Sequence, residues 1–192
     1  MATRKVLVVD EFDSDPMLEQ HLSQQGYQIA TLKLQDLNLL EVVKNLQPDA
    51  VVLNLYSPDE KVLHMMLTLN QHFAVPVIIF AEDQQTDTIN NVIKAGVSAY
   101  IVDCSEPKRI KTIIEVAIAR FNEQKVLKDE LQKTKSQLEE RKLIDRAKAI
   151  LIKSKGYSED QAYHALRKLA MDRKVSLGEM AKNVIAMVEL LN

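Results

Sequence analysis

Cysteine is nearly absent from this 192-residue sequence: Cys104 stands alone. A single cysteine excludes an internal disulfide and makes a reducing, cytoplasmic setting the simplest expectation. Long apolar runs are also missing. Nothing approaches the ~20 residues of a membrane-spanning helix, and the opening MATRKVLVVDE is charged where a secretory leader would be apolar. The four histidines, His21, His64, His72 and His164, share no metal-ligand spacing with each other or with Cys104. No nucleophile–base constellation is visible either, so no catalytic residues, no metal, no cofactor and no enzyme are expected.

Glycine and further proline are missing from the stretch between Pro107 and Arg141, which is rich in Lys, Glu, Gln, Leu and Ala. These are good helix formers. Ile110, Ile113, Ala117, Leu127, Leu131 and Leu138 fall on a and d positions of one heptad register, with Arg120, Gln124 and Thr134 on the same seam. This broken apolar seam predicts a long linker helix over 107–141 that forms a coiled coil with a partner, most simply a second copy of the chain.

Hydrophobic residues make up 46% of the chain, enough for one or two packed domains. KVLVVD (5–10), AVVLNL (50–55), PVIIF (76–80) and AYIV (99–102) are short, almost continuously apolar runs. Strands of that kind are covered on both faces, as in a parallel sheet. YQIATLK (27–33) is a weaker strand, nearer an edge. Amphipathic segments lie between, over 14–25, 36–46, 60–72 and 86–95, with a further start near 107. The alternation predicts a five-stranded doubly wound α/β domain over 1–120.

Two short loops then separate three amphipathic helices over 138–192, an all-α bundle. The first helix continues from the linker and stops at Gly156, a good residue for a left-handed helix end. Ser158 with Gln161, and Ser176 with Glu179, have capping-box spacing. Ala162, Leu166, Leu169 and Ala170 are expected to face the core. Charge is divided along the chain. Residues 1–105 carry 6 Lys/Arg against 14 Asp/Glu, and residues 141–174 carry 10 Lys/Arg against 4 Asp/Glu. An acidic front and a basic back point to different partners.

In a doubly wound sheet, ligands sit beyond the C-terminal strand ends. The sequence places Asp10, Glu11, Asn54, Ala81 and Asp103 there. VLVVDE, PDAVVLNLYSP, VPVIIFAED and GVSAYIVD, in that order, resemble the strand motifs of the receiver domain of bacterial response regulators. The resemblance implies an acidic pair for Mg²⁺, retained as Asp10 and Glu11. It also implies a phosphoacceptor aspartate, a hydroxyl residue and a lysine, which here are Asn54, Ala81 and Asp103. An amide is a far weaker nucleophile than a carboxylate, Ala81 offers no hydroxyl, and Asp103 would repel phosphate. The expectation is a pseudo-receiver that takes no phosphate at Asn54. Asp10, Glu11 and Asp103 are expected to form a solvated acidic rim, with a bound cation as the alternative, and the domain's state is expected to be set by a sensor protein or other ligand.

IDRAKAILIKSKGYSEDQAYHALRKLAMDRKVSLGEMAKNVI resembles the ANTAR domain, a three-helix RNA-binding module of transcription antiterminators. The diagnostic parts are Ala147–Lys148, Ala162–Tyr163, Leu166–Arg167 and Ala170–Met171. Ala149 and Ile152 stand where the family often has Gly and Met. The resemblance implies a regulator that grips stem-loops of a nascent leader transcript. Lys148 and Arg167 are the first candidates for contact, followed by Arg146, Lys168, Arg173 and Tyr163, whose ring is suited to stacking a base. Lys148 and Arg167 are both expected on the solvent side of the bundle. A DNA-binding response regulator and a protein-interaction adaptor are the alternatives; the Ala/Leu-rich face of 158–174 favours RNA over DNA.

Overall fold

The computed structural model describes residues 3–11, 16–34, 38–102 and 107–191. Asp103 lies outside them. The chain divides into two compact units, Met1–Val126 and Leu127–Asn192.

The first unit runs β1 (Lys5–Asp10), α1 (Pro16–Gln24), β2 (Gln28–Lys33), α2 (Leu39–Leu46), β3 (Ala50–Leu55), α3 (Glu60–His72), β4 (Val77–Ala81), α4 (Thr86–Lys94), β5 (Ala99–Val102) and the start of α5 (Pro107–Lys155). The five strands are parallel in the order β2-β1-β3-β4-β5. As expected for its weaker pattern, β2 is an edge strand. The central strands read as continuous apolar runs because successive residues enter opposite cores. Leu7, Val9, Val51, Leu53, Val77 and Ile79 pack with α2, α3 and α4, while Val6, Val8, Val52, Ile78 and Phe80 pack with α1 and α5.

The first three residues of the expected dimer seam are committed to that second core. Ile110 and Ala117 are buried there, and Ile113 packs against it. The linker seam is therefore shorter than the sequence suggested. Glu115, on the same stretch of α5, accepts a hydrogen bond from Tyr27 Oη at 2.7 Å and pairs with Arg4. This ties the helix to the N-terminal end of the sheet.

The second unit comprises the rest of α5, α6 (Glu159–Arg173) and α7 (Leu177–Leu191). Linker and first bundle helix are thus one continuous helix. Gly156, at φ 69°, ends it, and its N–H donates to Ile152 O. Ser158 and Gln161 form the reciprocal capping box that opens α6, and Ser176 Oγ accepts from the Glu179 N–H at α7. The core consists of Ala147, Leu166, Ala170, Met180, Ala181 and Ile185; Ala162 is fully buried as well. The alanines let the helices approach closely. Leu169, expected in this core, is 39% exposed and lies outside it, because the α6 face that α5 and α7 cover is the one carrying Ala162, Leu166 and Ala170.

Candidate functional site: a strand-end pocket and a basic helical surface

Parallel pairing brings the residues of the sheet's C-terminal edge together. Asp10 is in register with Asn54, and Ala81 with Leu55. Asp10 is only 1% exposed, so the expected solvated acidic rim is corrected at this residue: the end of β1 is inside the fold. Glu11 is exposed, but its carboxylate accepts from the Tyr56 N–H at 2.7 Å, and its own N–H donates to Asn54 O at 3.0 Å. Ala81 is buried and presents a methyl group.

Sequence reasoning overlooked Asp83. Its Oδ2 accepts from Ser57 Oγ at 2.7 Å and Thr88 Oγ1 at 2.8 Å. Its Oδ1 accepts from the Gln85 N–H at 2.8 Å, an Asx turn. Its backbone carbonyl accepts from Tyr100 Oη at 2.8 Å, while the Asp83 and Glu82 amides donate to Tyr56 O. The Gln85 amide, followed by the two hydroxyls, holds the Asp83 carboxyl below the usual range. The loops after β3 and β4 are knotted to each other mainly through Asp83, with the Glu82 amide adding one bond.

The receiver resemblance implies Mg²⁺ at Asp10 and Glu11, of which Asp10 is buried at the end of β1. The ion demands near-octahedral oxygen ligation with several waters. Here Asn54 is neutral, Glu11 is turned onto a backbone amide, and Asp83 is engaged by three donors. Among the described residues no group of three His, Cys, Asp or Glu side chains is placed to hold a metal.

In the helical unit the candidate cations divide into two sets. Arg167, Lys168 and Arg173 are exposed on α6, and none forms an ion pair among the described residues. Arg146 pairs with Glu189 at 2.7 Å, both well exposed. Lys148 departs from expectation. Its side chain is only 16% exposed, and its Nζ lies 2.8 Å from Asp145 and 3.0 Å from Glu159. It bridges α5 to the first turn of α6, so it is not on the open solvent side. The Lys148 ammonium, through that hydrogen bond first, holds the Asp145 carboxyl below its usual range.

Tyr163 is 39% exposed and meets His164 edge-on at 6.1 Å between ring centroids. Tyr163 and Lys148 line one open groove. At the groove's other end, Glu140 accepts from the Gly178 N–H at 3.2 Å and so caps α7. A Cβ on Gly178 would stand 2.7 Å from Glu140 Cγ, so glycine permits this close approach.

Comparison with known proteins gives these two regions their family. The response regulator receiver domain model matches residues 6–115, and the ANTAR domain model matches residues 132–185. The chain belongs to the response regulators, with a receiver domain followed by an ANTAR domain. That pairing marks it as a transcription regulator of the antitermination type.

The Transcriptional regulatory protein PdtaR of Mycobacterium tuberculosis is 26% identical over 183 residues, 95% of this chain and 89% of that protein. The Nitrate regulatory protein of Klebsiella oxytoca is 36% identical over 80 residues, 42% of this chain but 20% of that protein. Among solved structures, the signal receiver domain of a modulated diguanylate cyclase from Desulfovibrio desulfuricans aligns with a TM-score of 0.56 at 16% identity, covering 64% of this chain and 99% of that one. A CheY-like receiver domain protein from Methanospirillum hungatei aligns with a TM-score of 0.54 at 16% identity, covering 64% and 99%. At these identities the likeness is one of fold. No helix among the described residues is long and apolar enough to cross a membrane.

Proposed function

We propose that this chain is a cytoplasmic antitermination regulator that binds stem-loops in nascent leader RNA. Holding those hairpins keeps the terminator hairpin from forming, so polymerase reads through. The observation that carries the reading is the exposed set Arg167, Lys168 and Arg173, without ion pairs among the described residues, in a segment with 10 Lys/Arg against 4 Asp/Glu. Exposed guanidinium and ammonium groups suit the phosphates of a stem, and Tyr163 suits an unstacked loop base. Arg146 joins these contacts if phosphate displaces Glu189, and Lys148 contributes through the position it gives α6.

Control passes through a partner protein or a ligand in place of phosphate. Asn54 and Ala81 remove the nucleophile and the hydroxyl that phosphoryl chemistry needs, and Asp103 puts a negative charge where a cation would serve. Dimerisation through Leu127, Leu131 and Leu138, which are 59%, 56% and 53% exposed, would bring two RNA-binding surfaces together. Two linked weak sites gain avidity without new contacts.

Sequencing the RNA that co-purifies with the protein tests the reading. Enrichment of stem-loops ahead of terminators is expected; RNA without such hairpins, or none at all in the presence of the activating partner, would overturn it. Mass spectrometry after incubation with a small phosphodonor and Mg²⁺ should find position 54 unmodified, and a stable adduct there would sink the phosphate-independent control.

A further inference from the structure

The groove between α5, the first turns of α6 and the start of α7 has a volume of about 440 Å³. Tyr163, Ile144 and Leu177 supply its apolar wall, with Arg141, Asp145 and Lys148 as polar neighbours. Resting on the RNA reading above, we propose that this groove is a nucleobase site. It takes one unstacked base from a hairpin loop and leaves the phosphates to Arg167, Lys168 and Arg173.

Charge decides against a phosphate here. Lys148 is held by both Asp145 and Glu159, at 2.8 and 3.0 Å, so one ammonium faces two carboxylates. With Glu140 and Arg141, which also line the groove, two cations stand among three carboxylates, so the groove offers no surplus positive charge and a phosphate meets like charge there. A neutral heterocycle meets no such repulsion. It also finds what it needs: an aromatic face to stack on, flanking aliphatic side chains, and both acceptor and donor groups for its edge. The volume falls in the ~300–1,000 Å³ range of small-molecule sites.

Helical spacing places the groove beside the phosphate-binding surface. Glu159, Tyr163 and Arg167 follow one another at intervals of four on α6, which puts them on one face. Lys148 anchors the first of them to α5, Tyr163 opens into the groove, and Arg167 stands exposed beyond it. A strand whose phosphates run past Arg167 can turn one base inward onto Tyr163. Lys148 is then a positioning residue, which fixes the α6 turn that carries the ring. Glu140, spent on the Gly178 amide, holds the α7 wall in place.

The test uses the full chain and two probes. In the first arm, free nucleosides and, separately, inorganic phosphate are titrated while NMR follows the Tyr163 ring and the Ile144 and Leu177 methyls. Nucleosides should shift these signals and phosphate should not; the reverse, or no nucleoside shift, overturns the site. In the second arm, a labelled stem-loop RNA recovered with the protein is compared with versions made abasic at each loop position. Tyr163→Leu should weaken binding roughly 5- to 150-fold with an unchanged salt slope, whereas Arg167→Ala should make that slope shallower by about 0.7–0.9. Tyr163→Phe should bind like wild type and guards against loss of folding. One abasic position should cost as much as Tyr163→Leu, with no further loss when the two are combined. Additive losses at every position, with wild type still binding the hairpin, overturn the groove alone. Failure of wild type to bind any hairpin overturns the RNA reading and the loop-base assignment with it, and is told apart by the nucleoside arm.

Discussion

The sheet unit buries its apolar residues on both faces of five strands, while the helical unit rests on a core of alanines and a few larger side chains around Leu166. The functional surfaces are distributed the other way. The well-packed front has Asn54 and Ala81 at its strand ends, and its strand-end loops are tied together at Asp83. The thinly packed tail keeps Arg167, Lys168 and Arg173 exposed to solvent. The sheet unit is held together by its core and not by its strand-end residues, so those residues can change while the fold persists. A small bundle that must show cations to solvent has little surface left to bury.

The largest test of that contrast is Leu166→Ala. Leu166 is fully buried at the centre of the tail's core, and such a deletion costs about 2–5 kcal/mol. That is a large share of the stability of a small unit. Hydrogen exchange should show the amides of α6 and α7 losing protection while β1, β3 and β4 keep theirs. Equal loss in both units would show that they fold as one.

Leu131→Asp sharpens the comparison at the linker. With Ile110 and Ala117 spent on the front core, the linker dimer proposed above is left with Leu127, Leu131 and Leu138. Each copy would lose the roughly 1.5–3 kcal/mol of a buried leucine and gain an unpaired charge. Light scattering should report a shift toward the monomer mass. A dimer that survives the substitution would place the contact elsewhere.

Arg167→Ala addresses the open face directly. Hairpin affinity should fall by roughly 1–3 kcal/mol if the guanidinium reads a base edge, and salt dependence should flatten by about one contact if it meets a phosphate. Lys61→Ala, on α3 of the acidic unit, should bind like wild type and serves as the control. Equal losses from both variants would make the binding non-specific electrostatics.

Much of this was legible in the residues. Continuous apolar runs can be strands only where both faces are covered, so the sheet followed from KVLVVD, AVVLNL and PVIIF. Ser158 and Gln161 announced their own cap. Periodicity failed where it could not identify the neighbour. Ile110, Ile113 and Ala117 have heptad spacing, but the surface they meet is their own sheet. Leu169 follows Leu166 by three, yet it falls outside the α6 face that α5 and α7 cover. The Lys148–Glu159 bridge crosses the Gly156 turn, and nothing in the spacing of two surface-type charges foretells it. Asp83 left a partial sign, a carboxylate two residues before the amide it caps. Its bond to Ser57 depends on the two loops meeting in space.

The smallest expected effect is a local one, at the knot that closes the front site. The donors around Asp83 stabilise its ionised form and depress its folded pKa. The stabilisation it provides is therefore fully present above the unfolded carboxylate value of about 3.9 and is lost as pH falls through the lower, folded value. In an acid titration followed by NMR, the Gln85 amide should move with a midpoint below that of an ordinary aspartate, and Ser57 and Thr88, whose hydroxyls donate to the same carboxylate, should move with it. The amides of β3, and those of β1 after Lys5, should hold steady over the same range, since their partners are backbone carbonyls; the Lys5 amide donates to the Asp49 carboxylate and is left out of the comparison. Asp83→Asn keeps an acceptor for Gln85 but removes the charge and should abolish the titration without disturbing the sheet. An ordinary midpoint for Gln85, or sheet amides that move in step with it, would show that the two loops are not joined through Asp83 and that the front site is still free to rearrange.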